Sequence, residues 1–149
     1  MGDERIFLGL GTNLGEREAN LREAVRRLAA LPGTRVVGLS SLHETAPWGV
    51  EDQPPFLNAV AELRTELEPE ALLTAVKEIE RAMGREPTFR WGPRLIDLDL
   101  LLYGERRLRT ERLTLPHPHL RERPFVTEPL GEIAPEVLDA LDQAAGPPG

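Results

Sequence analysis

Cysteine is absent from the 149 residues. That excludes disulfides, thiol catalysis and cysteine-ligated zinc. Lysine occurs once, at Lys77, so the cationic side chains are almost all guanidinium groups. Aromatics are scarce, with two Trp, one Tyr and four Phe, which makes a phenylalanine on a loop a candidate for a specific task. No run of 18 apolar residues occurs, so no membrane-spanning helix is expected. The opening "MGDERIFLGLG" sets acids before an apolar run too short and too glycine-rich for a signal peptide. A cytoplasmic protein is expected. The formal net charge of −7 argues against a general nucleic-acid binder. The length suggests one domain over residues 1–149 with its own core, and a monomer is expected.

What is present is unevenly spread. Arg85 to Arg123 holds nine arginines against six acids, a local +3 in a chain of −7. Arginine offers a planar fork of donors that matches phosphate oxygens, so a small anionic ligand is one reading. A general preference for arginine over lysine is the other; it leaves the clustering unexplained.

Periodicity divides the chain simply. "RIFLGLGT" (5–12) reads as a buried strand. A helix over about 16–31 follows, with Leu21, Val25 and Leu28 on one stripe, ended by Pro32-Gly33. A second strand spans 34–44, and "TAPWGVEDQPP" (45–55) is a loop. The third strand, 57–65, turns Leu57, Ala59, Ala61 and Leu63 to one side. The second helix runs from Pro69 to about Met83, with Leu72, Val76, Ile79 and Met83 in line and Gly84 as its C-terminal cap. A long loop, 85–95, leads into a fourth strand ending at Gly104. A hairpin-like piece over 108–115 and one or two short helices complete the chain. The order β-α-β-β-α-β with a C-terminal appendix is the split βαβ, or ferredoxin-like, α+β arrangement. It predicts an antiparallel sheet with both helices on one face and the other face free for a site.

The fourth strand carries the anomaly. Seven of the nine residues from Leu95 to Tyr103 are apolar, yet the run contains Asp97 and Asp99. On a strand these point to the same face, with Cα atoms roughly 6.5–7 Å apart. Buried without partners, two like charges are costly, so something positive belongs above them. A hard cation such as Mg²⁺, completed by water and phosphate oxygens, is one answer; neighbouring arginines are another. Elsewhere, "GLGTNLG" (9–15) is one residue too long for the dinucleotide fingerprint, and Gly9 and Gly11 read as close-packing positions. No Walker sequence occurs. Phe56 and Phe125 each follow a proline; they read either as two faces for a flat heterocycle, with Asn58 at its polar edge, or as core residues. In "PHPH" (116–119), His117 is the candidate phosphate donor and His119 a solvated neighbour.

Taken together, "DQPPFLNAV", "RWGPRLIDLDLLLYG" and "ERLTLPHPHLRERPFVTEPLGEIAP" resemble the 6-hydroxymethyl-7,8-dihydropterin pyrophosphokinase family of folate biosynthesis. The resemblance runs from the first strand to about Pro135. It implies transfer of pyrophosphate from ATP to the pterin hydroxymethyl oxygen with release of AMP. Two Mg²⁺ would be held by Asp97 and Asp99, with Arg85 and Arg94 sharing the catalytic centre. ATP would be bound through Glu80, Arg85, Arg90, Arg94, Arg112, Thr114, His117 and Arg123. The pterin would lie between Phe56 and Phe125, with Asn58 on its edge, Trp91 over it, and Thr45, Pro47 and Trp48 on the loop that seals the pocket. The partners so implied are small molecules only. This sequence departs from the family pattern in a shorter "REPTF" loop after Gly84, in Pro118 where an aromatic is usual, and in Lys77 where a polar amide occurs. An acidic D-x-D pair has two other readings: a nucleotide-sugar transferase, which usually needs a larger α/β domain, and a nucleotide-sensing module without turnover.

Overall fold

The computed structural model describes residues 4–13, 15–45, 55–83 and 96–144. Its elements are β1 (Ile6–Thr12), α1 (Arg17–Ala29), β2 (Thr34–Leu39), β3 (His43–Thr45), β4 (Phe56–Thr65), α2 (Pro69–Ala82), β5 (Asp97–Tyr103), β6 (Leu108–Arg109), β7 (Thr114–Leu115), a 3-10 turn at Leu120–Glu122, α3 (Pro124–Ile133) and α4 (Pro135–Ala144). The main sheet has the order β2-β4-β1-β5, every neighbour antiparallel, with β3 also paired to β4. Taken as one interrupted strand, β2 and β3 complete the expected ferredoxin-like order. The hairpin is a separate two-stranded ribbon, Leu108 opposite Leu115 and Arg109 opposite Thr114. The expected Gly84 cap and the 85–95 loop lie outside the described residues.

The expected strand over 34–44 is two strands, and Ser40 is the reason. Its N–H donates to the Val60 carbonyl at 2.9 Å, as a strand residue should. Its hydroxyl then takes the place of a main-chain carbonyl, accepting the Val60 N–H at 2.9 Å and donating to the Ser41 carbonyl at 2.8 Å. A side chain competing with the ladder in this way ends regular pairing. The chain resumes as β3, with His43 opposite Asn58 and Thr45 opposite Phe56.

Both long helices lie on one face, as expected. Pro69 starts α2, where its missing N–H costs nothing. Leu21, Ala24 and Leu28 of α1 and Leu72, Val76 and Ile79 of α2 bury against Ile6, Leu8, Leu10, Ala61, Leu63, Leu98 and Leu100. The expectation of a free opposite face needs correction, because the appendix covers half of it. Val126, Leu130 and Ala134, four residues apart, form an apolar stripe that packs with Leu120 onto Phe7, Val60, Leu101 and Leu102. A bulge makes this possible. Leu8 pairs with Leu100 and Phe7 with Leu102, so Leu101 is the extra residue. Leu101 and Leu102 therefore both join the appendix, while Tyr103 returns to the helix side. The bulge divides β5 into an apolar half under the appendix and a half bearing the two aspartates.

A charged clamp fixes α4 to this layer. Arg5 grips Glu62 of β4 through Nε at 2.8 Å and Glu136 of α4 through Nη1 at 2.6 Å. Arg5 Nη2 adds a second bond to Glu62 at 3.1 Å, and Arg64 a third at 2.6 Å.

Candidate active site

The uncovered half of the sheet has a defined cross-section. Asp97 of β5 lies opposite Gly11 of β1, Gly11 opposite Asn58 of β4, and Asn58 opposite His43 of β3. One step along, Asp99 lies opposite Gly9 and Gly9 opposite Val60. Directly paired residues share a face, so two carboxylates and a carboxamide flank a column without side chains. At Gly11 that vacancy is required: a Cβ there would sit 2.9 Å from Asn58 Oδ1. At Gly9 a Cβ would meet only the Leu101 side chain, at 3.6 Å. The close-packing reading of these glycines holds most strictly at Gly11.

Asn58 is nearly buried, and its amide is oriented by β3. Nδ2 donates to Thr45 Oγ1 at 2.8 Å and more weakly to the His43 carbonyl at 3.5 Å. Oδ1 is the atom turned toward Gly11 and the glycine column. Phe56, two residues before Asn58 and on the same face, is half-buried. Phe125 is half-buried in the first turn of α3, with the Arg123 guanidinium 5.7 Å from its ring centre. Neither is a fully buried core residue; Phe7 is.

The free edge of β5 is held from the helix side. Glu80 of α2 is only 3% exposed, and its Oε2 accepts the Leu98 N–H at 2.8 Å. That N–H belongs to the residue between the two aspartates. Lys77 Nζ lies 3.3 Å from Glu80 Oε1, supplying a cation beside the buried carboxylate. Beyond this edge is an open pocket of about 250 Å³ lined by Lys77, Asp99, Arg112, Thr114 and His117, among others. Arg112 rests against α2, bonded to Glu70 at 3.3 Å and Thr74 at 2.9 Å.

His117 is locked at the junction of pocket and sheet. Its N–H donates to the Leu101 carbonyl at 2.9 Å. Its Nδ1 accepts the His119 N–H at 3.2 Å, which leaves the ring proton on Nε2. Burial pushes this imidazole below its usual range; the Asp99 carboxylate opposes that, and Arg123 and His119 reinforce it. His117 is therefore a neutral Nε2–H donor near neutral pH, between Asp99 and Arg123. His119 is exposed and bonded to Glu122 at 2.7 Å, in keeping with a surface residue.

The structure thus gathers Asp99, Arg112, Thr114 and His117 around one pocket, and Thr45, Phe56, Asn58 and Asp97 along the adjoining face. Glu80 lies beneath the strand rather than on that face. Pro47, Trp48, Arg85, Arg90, Trp91 and Arg94 lie outside the described residues. Lys77 also lines this pocket, and its place as the lone lysine three positions before an acid on α2 is the sequence signal for it.

Residues 7–135 match the family model described as 7,8-dihydro-6-hydroxymethylpterin-pyrophosphokinase. The chain belongs to this family. A 2-amino-4-hydroxy-6-hydroxymethyldihydropteridine pyrophosphokinase of Methylorubrum extorquens is 51% identical over 134 residues, covering 90% of this chain and 85% of that protein. The pyrophosphokinase of Aquifex aeolicus is 41% identical, covering 91% of this chain and 84% of that one. A mitochondrial folate synthesis bifunctional protein of Pisum sativum is 44% identical over 93% of this chain but only 27% of its own length. In shape, the chain resembles the crystal structure of Plasmodium falciparum HPPK-DHPS with pteroate, at TM-score 0.69 and 16% identity over 89% of this chain and 39% of that one. That likeness shows the fold alone.

Proposed function

We infer that the chain works as its family does: it is a pyrophosphokinase of folate biosynthesis, with ATP as co-substrate and the hydroxymethyl group of 6-hydroxymethyl-7,8-dihydropterin as acceptor. The observation that carries the assignment of sites is the row Asp97–Gly11–Asn58. Carboxylates suited to metal-bound phosphates and a carboxamide suited to a heterocycle edge flank one glycine column. In the reaction the hydroxymethyl oxygen attacks the β-phosphorus of ATP. The bond from that phosphorus to the α–β bridging oxygen breaks, AMP leaves with the bond's electrons, and the hydroxyl proton is lost.

Among the described residues no group of three or more His, Asp or Glu is placed to hold a metal. Two carboxylates on one strand face nevertheless fit Mg²⁺, which takes one or two carboxylates and completes its shell with water and phosphate. Asp97 and Asp99 would hold two such ions. When bound, they supply charge neutralisation and alignment at the phosphates. His117 presents its Nε2–H to a phosphate oxygen, and Arg112, Thr114 and Arg123 approach from the hairpin and the start of α3. Glu80 keeps the aspartate strand in place from below. Arg85, Arg90 and Arg94 would supply further phosphate contacts. Asn58 meets the pterin edge through Oδ1, between Phe56 and Phe125, with Thr45 fixing the amide. Trp91, Pro47 and Trp48 would exclude water from the bound substrates. A single 1–149 domain acting as a cytoplasmic monomer completes the reading.

The test is a product assay with ATP, Mg²⁺ and the hydroxymethyl pterin, the nucleotides being resolved by chromatography. AMP formed in step with pterin pyrophosphate, and lost on chelating Mg²⁺, is expected. ADP as the product would overturn the mechanism.

A further inference from the structure

Strand β3 is only three residues long and, among the described residues, pairs on one side, with β4. Such a strand needs other ties to hold its position. On the helix side, Glu44 is bridged to Arg17 at the start of α1 at 2.9 Å. On the site side, Glu132 near the end of α3 receives three bonds. Its Oε2 accepts the Ser41 N–H at 2.8 Å; its Oε1 lies 2.8 Å from Ser41 Oγ and 3.0 Å from His43 Nε2. Ser41 Oγ and His43 Nε2 are 3.2 Å apart, closing a ring of polar contacts. The charge of Glu132 is well supported there, since the His43 and Ser41 bonds hold its carboxyl below the usual range. The arrangement is not that of a nucleophile with its base. Ser41 Oγ and Glu132 Oε1 both meet the same His43 nitrogen, Nε2, so the serine proton has no directed path away.

We propose that Glu132 is a positioning residue for the pterin edge, acting through Ser41 and His43 on Asn58. The path is short and continuous. Glu132 holds Ser41 and His43; His43 lies opposite Asn58, and its carbonyl accepts from Asn58 Nδ2; two residues on, Thr45 Oγ1 accepts the stronger bond from the same Nδ2. With Nδ2 committed to β3, Oδ1 faces the glycine column as an acceptor. Without the clasp, β3 retains its three-residue ladder and the Arg17 bridge, which lies on the opposite face. The amide then loses its fixed sense, and the site no longer presents one defined hydrogen-bonding edge. Glu132 also belongs to the helix whose first turn carries Phe125, so the clasp sets the spacing between the amide and that ring. This inference rests on the proposed pterin role of Asn58.

The experiment compares Glu132→Ala, Ser41→Ala and Asn58→Ala in the full chain. It measures KM for pterin and for ATP, kcat, and the Asn58 side-chain amide resonances without substrate. Glu132→Ala should raise the pterin KM about tenfold, the order of one lost net hydrogen bond, and leave the ATP KM within about twofold. Ser41→Ala, which keeps the His43 bond, should show the same split at smaller size. The Asn58 amide pair should shift or broaden in both. An unchanged pterin KM in folded Glu132→Ala, or equal losses for pterin and ATP, would overturn the proposal, whatever the amide signal does. Should Glu132→Ala not fold, Ser41→Ala decides by the same criteria. If Asn58→Ala itself leaves the pterin KM unchanged, the role of Asn58 fails, and the amide resonances of the other two variants still report whether the clasp orients it.

Discussion

The carboxylate of Glu80 accepts the backbone N–H of Leu98, the one residue that separates Asp97 from Asp99. An edge strand normally leaves such an N–H to water, but here α2 covers it with a nearly buried acid. Glu80→Ala should leave that amide without its acceptor and cost about 1–3 kcal/mol. Glu80→Gln retains a carbonyl acceptor and should restore most of the stability while breaking the Lys77 contact. Urea unfolding of both variants, alongside AMP formation, separates the two effects. If Glu80→Ala unfolds at the wild-type midpoint, the bond does not support the strand.

The two glycines of β1 differ in a way that can be measured. A methyl group at Gly11 meets the Asn58 amide oxygen at 2.9 Å, inside contact distance, whereas at Gly9 it meets flexible Leu101 atoms at ordinary separation. Gly11→Ala should therefore displace the amide, cost about 1–3 kcal/mol as overpacking does, and weaken pterin binding more than ATP binding. Gly9→Ala should leave the melting temperature nearly unchanged. Calorimetric titration of each substrate, with a thermal melt, distinguishes them; equal destabilisation by both would contradict the geometry.

Much of this arrangement is legible in the sequence, and the exceptions have definite causes. The succession of strands and helices along the chain follows from periodicity, because Leu57, Ala59, Ala61 and Leu63 alternate and Leu72, Val76 and Ile79 recur at helical spacing. Asp97 and Asp99 stand out because charges inside an apolar strand demand an explanation. Ser40 does not stand out, since ending β2 depends on its hydroxyl meeting the N–H of Val60, twenty residues later. The bulge at Leu101 is equally hidden, because three consecutive leucines carry no mark of which one is unpaired. The clasp of Ser41, His43 and Glu132 joins positions about ninety residues apart and has no local signature.

Acid should loosen the clamp on α4. Hydrogen bonding to Arg5 holds the Glu62 carboxyl below its ordinary 4.5, against the opposing effect of burial and with help from Arg64. A depressed carboxyl stabilises the fold above the unfolded value and loses that contribution as pH falls through the folded one. Wild-type stability should accordingly decline below about pH 4.5. Glu62→Gln should be less stable at neutral pH, and its denaturation midpoint should approach the wild-type value in acid, where the wild-type carboxyl is also neutral. Parallel midpoints from neutral pH down to about pH 3 would exclude the clamp as a source of the pH dependence.

Asp97 and Asp99 should behave in the opposite sense to a structural pair. Two carboxylates on neighbouring same-face positions repel, so removing one relieves like charge. Asp97→Ala and Asp99→Ala should each lower AMP formation by about 10³-fold or more, the scale of losing a principal electrostatic contact in a transition state. Thermal melts should show Asp99→Ala at least as stable as the wild type in chelator. Adding Mg²⁺ with a nonhydrolysable ATP analogue should raise the wild-type melting temperature through binding to the folded state alone, and do so far less in the variants. This readout does not depend on turnover. Early melting of Asp99→Ala in chelator would make the pair a structural one, and a variant that keeps the full Mg²⁺-dependent rise would place the metal elsewhere.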